Sequence, residues 1–165
     1  MKRALALLIL AAPLAACGLR PLYGTGAGSA TASALGEIEV APIDERSGWL
    51  LRNALVDRLA VGGDSTARYR LDVIIDDDIT KFGLRGDAGA TRERRTLRTR
   101  YQLIDLATGE TLVDATAGSD AGIDITSSPY ATVAAEQSAL ERLSMEVADD
   151  IVARLALYFD RTRGQ

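Results

Sequence analysis

From Ala131 to Asp160 the chain carries neither proline nor glycine, and Val133, Leu140, Leu143, Val147, Ile151, Leu155 and Tyr158 recur on one stripe at helical spacing. A helix of that length measures about 45 Å at 1.5 Å per residue. Its other face carries Glu141, Arg142 and Asp149 and belongs to solvent or a partner. One apolar stripe this long cannot be buried by the helix itself, so the rest of the chain must supply a broad apolar surface.

The preceding residues supply strands. Tyr69, Leu71, Val73 and Ile75 alternate with Arg70, Asp72, Ile74 and Asp76, which predicts a strand over about 68–81. Gly83, Gly86 and Gly89 mark a loop, with the hairpin turning near residues 86–88. A second strand spans about 91–106. Leu97, Thr99, Tyr101 and Leu103 share one of its faces, and Arg92, Arg94, Arg98 and Arg100 share the other. Thr108-Gly109-Glu110 is a turn into a third strand, about 111–119, followed by a small, Ser-rich stretch through Pro129. Ahead of the hairpin, Glu37–Ile43 reads as a short strand, with Asp44 or Ser47 as helix N-cap. Leu51, Leu55 and Leu59 then mark a helix over about 48–60, ended by Gly62-Gly63. The expected fold is a two-layer α+β sandwich in the order β-α-β-β-β-α. Two helices pack on one face of a roughly four-stranded, mostly antiparallel sheet.

The first residues read as a targeting segment. Lys2 and Arg3 precede an apolar run, Ala4 to Ala12, too short for the roughly 20 residues that span a bilayer. Leu14-Ala15-Ala16-Cys17 then resembles a bacterial lipobox. Residues 1–16 are therefore expected to be a removed signal peptide, and Cys17 a lipidated N-terminus. Several acyl chains on Cys17 would anchor the protein durably, whereas one binds only marginally. Gly18, rather than Asp, follows the cysteine and points to the outer membrane, facing the periplasm. Residues 17–36, with the tract Gly24-Thr25-Gly26-Ala27-Gly28-Ser29, read as the lipidated cysteine and a flexible tether; residues 37–165 read as a single domain.

Composition removes most chemistry. The 165 residues hold one cysteine and no histidine, which leaves no disulfide, no imidazole-dependent triad and no ordinary structural zinc site. Without residues 1–16 there are 17 Lys and Arg against 23 Asp and Glu, so no generic nucleic-acid binder is expected. Asp76-Asp77-Asp78 invites a metal or acid–base reading. Successive strand residues point to opposite faces, however, so only Asp76 and Asp78 are neighbours. No catalytic residue, metal or cofactor is expected.

The opening of the mature chain, Cys17-Gly18-Leu19-Arg20-Pro21-Leu22-Tyr23-Gly24, resembles that of the LPS-assembly lipoproteins, the LptE family. Arg52-Asn53-Ala54-Leu55 is similar to a segment of that family's first helix, and the element order and long final helix fit as well. The resemblance implies a non-enzymatic outer-membrane lipoprotein that plugs the LptD β-barrel, assists its assembly and binds lipopolysaccharide. The other reading of the same architecture is an auxiliary lipoprotein of a periplasmic lipid-trafficking ABC transporter.

Within the first reading, Arg92, Arg94, Arg98 and Arg100 form a strip whose planar forks suit phosphate, with Lys81 and Arg85 near the hairpin tip as further candidates. The competing role is structural: Asp72, Asp76 and Asp78 on the neighbouring strand would pair with these arginines across the hairpin. Leu22, Tyr23 and Trp49 are the candidate contacts to the barrel.

Overall fold

The computed structural model describes residues 27–60, 66–84 and 90–163. Seven elements follow one another: α1 (Ala27–Gly36), β1 (Ile38–Val40), α2 (Glu45–Leu59), β2 (Tyr69–Leu84), β3 (Ala90–Asp105), β4 (Thr111–Asp124) and α3 (Pro129–Arg163). The four strands form one sheet in sequence order. β1 runs parallel to β2, while β2–β3 and β3–β4 are antiparallel, so the sheet is mixed. A parallel pair needs a crossover, and α2 provides it.

The expected α+β sandwich is present, with differences in detail. The tract taken as tether is helical from Ala27 to Gly36, and Thr31, Ala34 and Leu35 are buried. Its alanines favour helix, and packing against α3 supplies what so short a helix lacks alone. The folded unit thus begins ahead of Glu37, and among the described residues α1 packs on α2 and α3, which cover the sheet. β1 stops at Val40 because Ile43 turns away to meet α2, where Gly48 lies so close that a Cβ would stand 2.7 Å from the Ile43 carbonyl oxygen. Asp44 occupies the N-cap of α2 but makes no side-chain cap bond. β4 runs five residues beyond its expected end at 119, to Asp124, through Gly118 and Gly122. α3 starts at Pro129, where a missing N–H costs nothing.

The core lies between sheet and helices. Leu71, Val73, Leu97, Tyr101 and Leu103 come from the sheet, Leu51 and Leu55 from α2, and Leu143, Val147, Ile151 and Leu155 from α3. Val133 leaves the expected stripe and is half-exposed, because the first two turns of α3 project toward the hairpin tip. Arg58 of α2 donates through Nε and Nη2 to the Asp149 carboxylate and ties the two helices together. Among the described residues no helix is long and apolar enough to cross a membrane.

Candidate functional site: the open face of the sheet

Among the described residues all helices lie on one side of the sheet and leave its other face open. The strand period decides which residues stand there. Arg92, Arg94, Arg98 and Arg100 project from the open face of β3, as the alternation predicts, and Arg95 projects from the helix side. Lys81 is opposite Glu93 and shares its face, the helix side, so it does not extend the arginine strip. Its charge is engaged by Glu93 at 3.3 Å. Trp49 stands on the exposed side of α2, 62% accessible, clear of the core. Cys17, Leu22, Tyr23, Arg85, and the segment 1–16 lie outside the described residues.

The register centres the β2–β3 hairpin where the sequence puts it, yet the expected ion pairs are elsewhere. Asp76 is opposite Arg98 without bonding it, Asp72 binds Arg70 on its own strand, and Asp78 accepts from the Thr80 hydroxyl. The carboxylates that neutralise the strip come instead from β4. Asp124 meets Arg92 at 3.0 Å, Asp120 meets Arg94 at 3.8 Å, and Asp114 meets Arg100 at 2.7 Å. The physical reason is the length of β4, whose continuation past residue 119 brings Asp120 and Asp124 alongside β3. Asp114 also accepts from the Gln102 amide, and these hydrogen bonds from Arg100 and Gln102 hold its carboxyl down at about 2.

Arg98 is the exception. No carboxylate among the described residues bonds it, and its β4 neighbour is Gly118. The Arg98 side chain crosses that glycine: a Cβ on Gly118 would stand 2.7 Å from Arg98 Cδ. Arg98 stands on the open face between Asp76 of β2 and Gly118 of β4. Ile74 beside it is 72% exposed. One unpaired guanidinium next to an exposed aliphatic side chain suits an anionic group carried on an apolar body. Over the described open face, the guanidinium groups of Arg70, Arg92, Arg94, Arg98 and Arg100 stand with the carboxylates of Glu39, Asp72, Asp76, Asp78, Asp114, Asp120 and Asp124. The face is therefore not basic overall, and among the described arginines of this face Arg98 alone is left to bind an anion without breaking an ion pair.

The helix side holds polar residues too. Glu93 is buried, and Arg95 forms a bidentate pair with Asp77 at 2.8 and 2.6 Å while donating to the Glu136 carbonyl oxygen at 3.0 Å. The signal was available: Glu93 and Arg95 have the same parity as Leu97 and Tyr101, so they are charged residues on the core face. Among the described residues no group of carboxylates is arranged to hold a metal ion.

No curated protein matches the chain. A protein of Caulobacter crescentus CB15 described as a lipoprotein has a similar structure, with a TM-score of 0.65 and 27% identity over 81% of this chain and 97% of its own. Rare lipoprotein B of Shewanella oneidensis shares the fold with a TM-score of 0.60 and 10% identity over 76% and 98% of the two chains. Lipoprotein B of Nitrosomonas europaea does so with a TM-score of 0.56 and 11% identity over 74% and 87%. The family model LptE, described as lipopolysaccharide-assembly, matches residues 35–155, from the end of α1 to the last turns of α3, and the chain belongs to that family.

Proposed function

We propose that this protein is a non-enzymatic outer-membrane lipoprotein that occupies and helps assemble an LptD-type β-barrel and contacts lipopolysaccharide as it passes. The observation that carries this reading is the family match across residues 35–155. In this reading the acylated Cys17 anchors the chain to the outer membrane, with the domain facing the periplasm and seated in the barrel lumen. Barrels with many strands enclose a lumen wide enough to hold a plug. Leu22, Tyr23 and Trp49 are the contacts to the barrel wall, and the exposure of the Trp49 ring supports its share of that role. Arg98 is the residue that meets a lipid phosphate, because Arg92, Arg94 and Arg100 are already engaged by carboxylates. Exposed ion pairs are weak, so those three can still contribute by exchanging partners.

Affinity purification of the tagged full-length protein from outer membranes in mild detergent tests the partnership. Co-purification of a large β-barrel protein is expected. Recovery of inner-membrane ATPase components with no barrel would overturn the reading and favour a lipid-trafficking transporter instead. For the ligand contact, Arg98→Glu is expected to lower lipopolysaccharide binding by about tenfold or more, the range of one charged hydrogen bond. Unchanged binding by a folded variant would remove Arg98 from the site.

A further inference from the structure

At the tip end of the β2–β3 hairpin, under the second turn of α3, five charged side chains meet on the helix side of the sheet. They are Asp77 and Lys81 from β2, Glu93 and Arg95 from β3, and Glu136 from α3. β4 adds none, because the residues opposite Glu93 and Arg95 are Ile123 and Ala121. Arg95 is committed to Asp77 and to the backbone carbonyl of Glu136. Lys81 reaches one carboxylate oxygen of Glu93, Oε1.

The other oxygen of Glu93 is the anomaly. The side chain is 2% exposed, and among the described residues Oε2 is buried with no donor. A buried acceptor left unpaired is destabilising, and more so when charged. Arg95, two residues along the same face of β3, donates to the Glu136 backbone oxygen and so sets the Glu136 carboxyl beside Glu93. Two ionised carboxylates hold no hydrogen to share, so their contact is repulsive unless one is protonated. The charge count agrees: three carboxylates face two cations, and one proton balances them.

We propose that Glu93 and Glu136 share a single proton, donated by the Glu136 carboxyl to Glu93 Oε2, and that this bond fastens the start of α3 to the hairpin tip until rising pH removes it. Burial, with Glu93 beside it, holds the Glu136 carboxyl above the ordinary glutamate range, while Arg95 and Lys81 oppose the shift. A carboxyl raised in the folded state contributes stability that is complete below its unfolded value and is lost as pH rises through its folded value. The fastening is thus strongest in acid and weakens toward neutral and alkaline pH.

The test compares the full-length wild type with Glu136→Gln, whose amide donates to Glu93 at every pH. Thermal midpoints are measured from pH 4 to pH 9. The two proteins are expected to agree at pH 4, with the variant gaining on wild type as pH rises above the ordinary glutamate range. Hydrogen exchange at residues 130–136, corrected for intrinsic rates, is expected to quicken with pH in wild type only. A midpoint difference that stays constant across pH would overturn the proposal. Should the variant fail to fold, carboxyl carbon NMR of the wild type decides. A Glu136 carboxyl titrating above the ordinary range supports the shared proton, and a Glu136 titrating normally overturns it.

Discussion

Asp77 and Arg95 form a bidentate ion pair between adjacent strands, with both side chains only 13% exposed and the guanidinium bridging onward to the backbone of α3. It is the one pair on the sheet that faces the helices rather than solvent among those involving the β3 arginines. Its removal should therefore cost more than removal of any pair on the open face. Asp77→Ala leaves a largely buried guanidinium without its counter-charge, which costs about 3–5 kcal/mol. Replacing both residues by apolar ones of similar volume should cost less than Asp77→Ala alone. Urea unfolding of the three variants measures this, and a double variant as damaged as the single one would contradict it.

The pair Arg100–Asp114 has the opposite character. The carboxylate is held at about 2 by hydrogen bonds from Arg100 and Gln102, yet it stands in solvent. Arg100→Gln should move the Asp114 titration up toward the ordinary aspartate value, seen by carboxyl carbon NMR. A depressed carboxyl stabilises the fold above its unfolded pKa and loses that contribution as pH falls through its folded value. Any contribution from this pair is therefore complete above about pH 4 and fades toward pH 2. The exposure keeps it small, so the NMR midpoint is the decisive readout rather than the melting temperature.

The contrast between these two pairs shows what the sequence conveys about this molecule. Period two placed Arg98 and Arg100 on one face of β3 and Leu97 and Tyr101 on the other, and both assignments hold. Period 3.6 placed Leu143, Val147, Ile151 and Leu155 in the core, and all are buried. Partner choice across strands is less legible, since it depends on where a neighbouring strand ends. Gly118 and Gly122 weaken the strand signal of β4, so Asp120 and Asp124 read as loop residues and the acids of β2 became the expected partners. α1 was hidden for a related reason. Its residues are small enough to read as tether, and only burial against α3 makes them helical. Glu93 and Arg95 broke the apolar pattern of the core face, which is the usual mark of a residue held by tertiary contacts.

Gly48 is required by a close approach. It is buried on the face of α2 that meets the β1–α2 connection, and a Cβ there would stand 2.7 Å from the backbone oxygen of Ile43. Alanine favours helix over glycine by about 1 kcal/mol, so propensity alone predicts that Gly48→Ala stabilises. The clash is with backbone, which cannot rotate aside as a side chain would. Overpacking of this kind costs about 1–3 kcal/mol. Gly48→Ala is therefore expected to lower the thermal midpoint, and a rise would show that the connection yields more readily than the geometry implies.

Gly118 and Arg98 compete for one volume on the open face. A Cβ at position 118 would lie 2.7 Å from Arg98 Cδ, 2.9 Å from the Leu97 carbonyl oxygen and 3.1 Å from Arg98 Nη1. Two of these contacts are with a flexible side chain and one is with backbone. Gly118→Ala should thus act partly by displacing Arg98 and partly by straining β3 against β4. The two parts separate in a double-mutant cycle. In the Arg98→Ala background the side-chain clash is gone, so Gly118→Ala should cost less than in wild type, with a coupling of about 0.5–2 kcal/mol. The same displacement would move the unpaired guanidinium from its place over Gly118 while leaving the net charge unchanged. If Arg98 is the phosphate contact, Gly118→Ala must weaken lipopolysaccharide binding in a folded protein. It must then have no further effect once Arg98 is already alanine.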